Sequence, residues 1–174
     1  NAQFIAQLAS FGSVSGINQL NQSMTSLTNA YSTGQTLQAA SLLGRTVLVD
    51  QTTGYLRGGS TLGAAVEVPN GSQRVGVQVL DSAGQIVRTL DLGTPGAGLT
   101  KFEWDGKVAG GADAPPGQYT FQAKALVGGK SEAVAMYVEA NVESVTLGGG
   151  AGQPVTLSLY GLGDVQMDSI KQIS

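Results

Sequence analysis

The chain has 174 residues, 26 of them glycine, only 12% charged and a net charge of −3, a composition that suits short strands joined by tight turns. It contains no cysteine and no histidine, which excludes disulfides, thiolate metal sites and mechanisms built on Cys–His, Ser–His–Asp or His-ligated zinc. Its nine Lys and Arg residues are scattered, so neither nucleic acid nor an anionic membrane surface is an expected partner.

No stretch approaches the roughly 18 apolar residues of a membrane span, and no signal sequence opens the chain. The first residue is Asn1 rather than Met, so the chain reads as a fragment or a processed form. Residues 1–31 are predicted helical. Phe4, Leu8, Phe11, Ile17, Leu20, Met24, Leu27 and Tyr31 recur mostly at steps of three and four, with a gap around Val14, and this places them along one stripe. The other face is Gln, Asn, Ser and Thr, almost without charge. Gly12 and Gly16 each cost about 1 kcal/mol relative to Ala, so a bend or break is expected near "FGSVSG", with a second short helical piece over 35–43.

From Gly44 the period changes to that of strands. "RTVLVD" (45–50) is β-branched, and a short strand follows at Tyr55–Arg57. "RVGVQVL" (74–80) puts Val75, Val77 and Val79 on one face. After the turn "DSAGQ", "IVRTLDL" (86–92) puts Ile86, Leu90 and Leu92 on one side, and the two form a β-hairpin. Phe102 and Trp104 share a face, and Asp105-Gly106 starts a turn. Pro116-Gly117 fits the centre of a type II turn, and Tyr119, Phe121, Ala123 and Ala125 alternate along the next strand. Strands over 133–147 and 154–160 flank "GGGAGQ", and "GDVQMDSIKQIS" adds one more short strand and turn.

Chemistry is hard to find in this pattern. "GTPGAGLT" lacks the lysine and the following helix of a phosphate loop, and "GGGAGQ" lies between strands, so both read as hairpin loops. Asp105 with Asp113, or Glu139 with Glu143, could in principle serve as a glycosidase pair, but the two aspartates sit in turns where Asp caps backbone. The spacing of the 105–113 loop matches no calcium loop. Neither a catalytic residue, a metal site nor a cofactor is expected. Trp104, Tyr119 and Phe121 read as a sandwich core rather than a sugar-stacking platform. The apolar helix is the odd feature. It packs either on copies of itself or a partner, with Phe4, Leu8, Phe11, Ile17, Leu20, Met24 and Leu27 as the self-assembly candidates, or across its own β domain.

Three stretches resemble the flagellar hook-capping family, also called basal-body rod modification proteins. "AQFIAQLASFGSVSGINQLNQSM" (2–24) is similar to the family's helical motif, although Ser15-Gly16 stands where Glu-Gln is usual. "AASLLGRTVLV" (39–49) is similar to the segment entering its globular part. Residues 81–125 carry its D-x-x-G-x-x-V-R, F-x-W-D-G and P-x-G-x-Y signatures, which place Phe102, Trp104, Asp105, Gly106, Pro116, Gly117, Tyr119 and Phe121 in a structural core-and-turn role.

The resemblance implies a mainly β fold with an N-terminal helix, in which a fibronectin-type-III or Ig-like sandwich is inserted into a small tudor- or SH3-like barrel. Residues 1–41 would be the helical assembly segment, 42–64 with 134–174 the barrel, completed by "GYL", and 65–133 the sandwich. It also implies a non-enzymatic, homo-oligomeric scaffold at the tip of the growing hook. Its partners would be hook protein subunits and the flagellar export apparatus, through which it leaves the cell without a cleaved signal. The alternative is a secreted adhesin-like sandwich that stacks a glycan on exposed Tyr31, Tyr55, Tyr137 and Tyr160.

Overall fold

A computed structural model describes residues 1–146 and 155–173, without the side chains of residues 2, 3, 5, 6 and 9–11. The expected "GGGAGQ" loop and the side chain of Phe11 therefore lie outside the described residues.

Residues Ala2–Ala40 form one uninterrupted helix, α1, of 39 residues. The expected break near Gly12 and Gly16, and the separate piece over 35–43, do not occur. Two glycines at about 1 kcal/mol each weaken a helix without terminating it, because glycine keeps the backbone N–H that proline would remove. Farther along, hydroxyls that compete with helical backbone elsewhere are turned inward: Thr25, Thr28 and Thr33 each donate to the carbonyl four residues back at 2.9–3.0 Å. No neighbouring atom lies within 4 Å of a Cβ built on Gly16. Gly16→Ala is therefore expected to raise helix content and stabilise α1 by about 0.5–1 kcal/mol, read by circular dichroism.

The rest of the described chain is β structure in two sheets. The strands are β1 (Thr46–Val49), β2 (Thr53–Leu56), β3 (Leu62–Val68), β4 (Ser72–Leu80), β5 (Ile86–Gly93), β6 (Gly98–Trp104), β7 (Gly117–Val127), β8 (Lys130–Val134), β9 (Met136–Thr146), β10 (Thr156–Leu159), β11 (Gly163–Gln166) and β12 (Ile170–Ile173). One sheet runs β11-β10-β9-β1-β12, with β3 and β6 branching from β9; the other runs β2-β7-β4-β5, with β8 also on β7. All the pairings are antiparallel.

β9 links the two bodies. Its Met136–Val138 end pairs with β3, its middle with β1, and its far end with β10. The near end closes an Ig-like sandwich around Trp104, Phe121, Val66, Val75, Val77 and Val79, all fully buried. The far end belongs to a curled half-barrel whose core holds Val47, Val49, Val142, Leu157 and Leu159. Ala39, in the last turn of α1, and Leu42, in the turn just after it, are buried in that second core and fasten the helix to it.

Several elements differ from the sequence reading. "GYL" does not complete the barrel: β2 pairs with β7, and Leu56 is buried in the sandwich core. Gly54 makes the approach possible, because a Cβ there would meet Val138 Cγ1 at 2.6 Å. The strand expected over 133–147 divides at Ala135, where the chain passes from one sheet to the other and the Ala135 carbonyl accepts from Glu67 N–H at 3.0 Å. In β5 the register shifts opposite Val79 and Leu80, which turns Ile86 out to solvent and lets Val87 pack on the core beside Leu90 and Leu92. The final segment forms two strands, β11 and β12, separated by a 3-10 turn over Met167–Ser169.

Candidate assembly surface

Trp104 organises the Phe102–Phe121 stretch. It ends β6, is fully buried, and donates its indole N–H to the Lys107 carbonyl at 2.9 Å, so its polar atom is satisfied inside the core. Tyr119 and Phe121 meet it edge-on at 4.8 and 6.4 Å, and Phe102 meets Phe121 at 5.8 Å. These rings face inward and offer no stacking surface to a ligand.

The loop between β6 and β7 is tied to itself. Asp105 accepts the Lys107 backbone N–H at 3.0 Å, Ala114 N–H reaches the Gly106 carbonyl at 2.8 Å, and Lys107 pairs with Asp113 at 2.6 Å. The Asp113 hydrogen bond and charge raise the pKa of the exposed Lys107 ammonium. Both aspartates are thus occupied by turn backbone or lysine, not poised as an acid–base pair. Gly106 has φ +69°, and a Cβ there would meet the Ser60 carbonyl, in the loop between β2 and β3, at 2.8 Å. Gly106→Ala is expected to cost about 1–3 kcal/mol in urea unfolding, from the positive φ and the backbone clash together. Gly117, by contrast, opens β7 at φ +157°, far from the roughly +80° that a type II turn requires. The chain reverses instead within the 106–114 loop, closed by a bridge between Lys107 and Asp113.

Tyr119 donates its hydroxyl to the Pro115 carbonyl at 2.8 Å, four residues upstream, in the manner of the tyrosine corner of Ig-type sandwiches. Burial, and secondarily Asp81, raises its pKa. The neutral phenol is therefore favoured in the fold. Its contribution is complete below the unfolded tyrosine value and is lost as pH rises through the raised folded one. Tyr119→Phe is expected to cost about 0.5–1.5 kcal/mol near neutral pH and to flatten the alkaline limb of the stability profile.

The four tyrosines considered as an exposed platform do not form one. Tyr137 is buried beside Lys171 and Glu67. Tyr55 and Tyr160 pack edge-to-face at 5.4 Å, with Arg57 over the Tyr160 ring at 3.7 Å. With the Gln118 amide donating to the Gly161 carbonyl at 2.9 Å, this group joins sandwich to half-barrel. No local pattern signals that junction, because its partners lie far apart in sequence. Among the described residues no cluster of acidic side chains is arranged to hold a metal ion.

What remains exposed is the helix. Phe4, Leu8, Ile17, Leu20, Met24 and Leu27 are each more than half exposed, as is Tyr31. No Asp, Glu, Lys or Arg occurs before Arg45. Among the described residues of α1, Ala39 is buried and Ser32, Gln35 and Thr36 are half-buried, all in its last third. Because α1 is continuous, the residues expected on one stripe divide between two. From Val14 to Ile17 to Leu20 the apolar positions advance by three, each step falling about 60° short of a turn. Phe4 and Leu8 consequently point to nearly the opposite side from Leu20, Met24 and Leu27. Ile17, Leu20, Met24, Leu27 and Tyr31 follow one another at 3-4-3-4 spacing, the seam of a two-heptad coiled coil.

The sandwich itself matches a family model described as FlgD Ig-like domain, over residues 50–129. Over 180 residues, spanning 99% of this chain and 77% of the relative, the sequence is 32% identical to the basal-body rod modification protein FlgD of Escherichia coli (strain K12). The chain belongs to the FlgD family. The FlgD of Salmonella typhimurium is 33% identical with similar coverage. Among solved structures, FlgD from P. aeruginosa superposes with a TM-score of 0.67 at 37% identity, over 76% of this chain and 98% of that one. FlgD from Xanthomonas campestris superposes with a TM-score of 0.72 at 29% identity, over 80% of this chain and 99% of that one. The Xanthomonas structure is described as giving insight into hook capping essential for flagellar assembly. The FlgD fold thus agrees with the sandwich and half-barrel found here.

Proposed function

We propose that this protein is a non-enzymatic scaffold, an oligomeric cap at the distal end of the growing flagellar hook that promotes ordered addition of hook subunits. Copies join through residues 1–41 and reach the tip through the flagellar export apparatus. The observation that carries this reading is the uncharged 39-residue helix with its large apolar side chains held in solvent. An isolated helix with such a surface is poorly stable in water and gains by packing on another chain. The scarcity of charge supports contacts that can be broken as each subunit inserts. The aromatic rings that would favour glycan binding are mostly packed within the fold, which supports the assembly reading.

The test is complementation in a strain lacking the gene, with a chain from which residues 1–31 are deleted. That deletion keeps Ala39 and Leu42 in the half-barrel core. The expected result is a folded, exported protein that fails to support hook growth; hooks of normal length would refute the reading.

A further inference from the structure

We propose that the sandwich and the half-barrel are strapped together at both edges of the half-barrel sheet, so that the two bodies move as one rigid unit with β9 as its spine. A shared strand does not by itself fix two bodies, since relative movement is the default where the interface between them is small. β9 and β1 occupy the middle of the order β11-β10-β9-β1-β12, with the β10–β11 turn toward one edge and β12 at the other. A tie from the sandwich reaches each edge.

At the first edge, Tyr55 of β2 and Arg57 just beyond it hold Tyr160, which follows β10. The two tyrosine rings meet edge-to-face at 5.4 Å, and the guanidinium lies 3.7 Å from the centre of the Tyr160 ring. Gln118 of β7 adds its hydrogen bond to the Gly161 carbonyl at 2.9 Å. A Cβ at Gly161 would meet Tyr55 Cγ at 2.3 Å, so the β10–β11 turn lies directly on the tyrosine ring. At the second edge, Lys171 of β12 pairs with Glu67 of β3 at 3.3 Å and lies 5.1 Å from the centre of the Tyr137 ring. The Tyr137 hydroxyl donates to the same Glu67 carboxylate at 3.4 Å. The Lys171–Glu67 pair is partly exposed and would hold weakly by itself, but the aromatic ring and its hydroxyl fix both partners. Rocking of the sandwich about β9 in one sense stretches the first tie, and rocking in the other sense stretches the second. Neither sense is free. The consequence for a cap, which rests on the scaffold reading above, is that a copy steps aside as a whole body rather than by opening between sandwich and half-barrel.

The test is double electron–electron resonance on the full chain. The sequence has no cysteine, so two introduced cysteines carry the only spin labels. One label is placed by Lys130→Cys, exposed on β8 of the sandwich, and the other by Asp164→Cys on β11 or, in a second sample, by Asp168→Cys beside β12. Dilution with unlabelled chain leaves only the distances within one molecule. The parent is expected to give one narrow distance for each pair. Arg57→Ala with Tyr160→Ala should widen the distributions, as should Lys171→Ala, and the three together should widen them most. Circular dichroism checks the fold, and Arg57→Ala with Gln118→Ala, both exposed, loosens the first edge without touching Tyr160. Broad or multiple distances in the parent would overturn the proposal. So would folded variants whose distributions stay as narrow as the parent's. Both outcomes are read on purified chain, so they leave the scaffold reading to its own test in hook growth.

Discussion

Trp104→Ala is expected to cost about 3–5 kcal/mol and to unfold the sandwich under conditions where the parent is native. The side chain is fully buried, contacts the rings of Tyr119 and Phe121, and holds the 106–114 loop through the Lys107 carbonyl. Alanine would therefore open a cavity and leave that carbonyl without its donor, two penalties in one substitution. Because β9 runs from the sandwich into the half-barrel, the loss should propagate to the second body and appear as one broadened transition. Urea melts followed by tyrosine fluorescence would read this directly. A midpoint within 0.5 M of the parent would contradict the core role of Trp104.

Leu27→Glu should do the opposite: leave the fold intact and abolish assembly. Leu27 is 64% exposed in the single chain, so glutamate there disturbs no internal packing. In an assembly it would forfeit roughly 1.5–3 kcal/mol of burial per interface. It would also bring a carboxylate into a seam with no basic residue to pair it. Self-association is expected to weaken by at least about 10–100-fold on the burial loss alone, with the melting temperature of dilute protein unchanged. Light scattering and calorimetry on one preparation would separate the two effects. A large fall in melting temperature would place Leu27 inside the protein's own fold, against the account.

The fold was legible where local chemistry decides it. Val75, Val77 and Val79 alternate because β4 has one buried face, and the period of two shows that directly. The family signature around Trp104 was equally plain. What could not be read locally depended on remote partners. β2 joins the sandwich through Gly54 lying against Val138, a contact across 84 positions that no window of sequence contains. The junction of Tyr55, Arg57 and Tyr160 is hidden for the same reason. The helix illustrates a different limit. Its apolar spacing was visible, but whether the residues form one stripe or two depends on whether the chain breaks at Gly12 and Gly16. A break would have reset the phase; a continuous helix carries the rotation through and separates Phe4 from Leu27.

Sedimentation equilibrium of the full chain over a wide concentration range reads self-association itself, on which the proposed role of α1 depends. The mass is expected to climb above a single chain with concentration and to return to it when residues 1–31 are removed. A constant mass of 17.7 kDa throughout would contradict it.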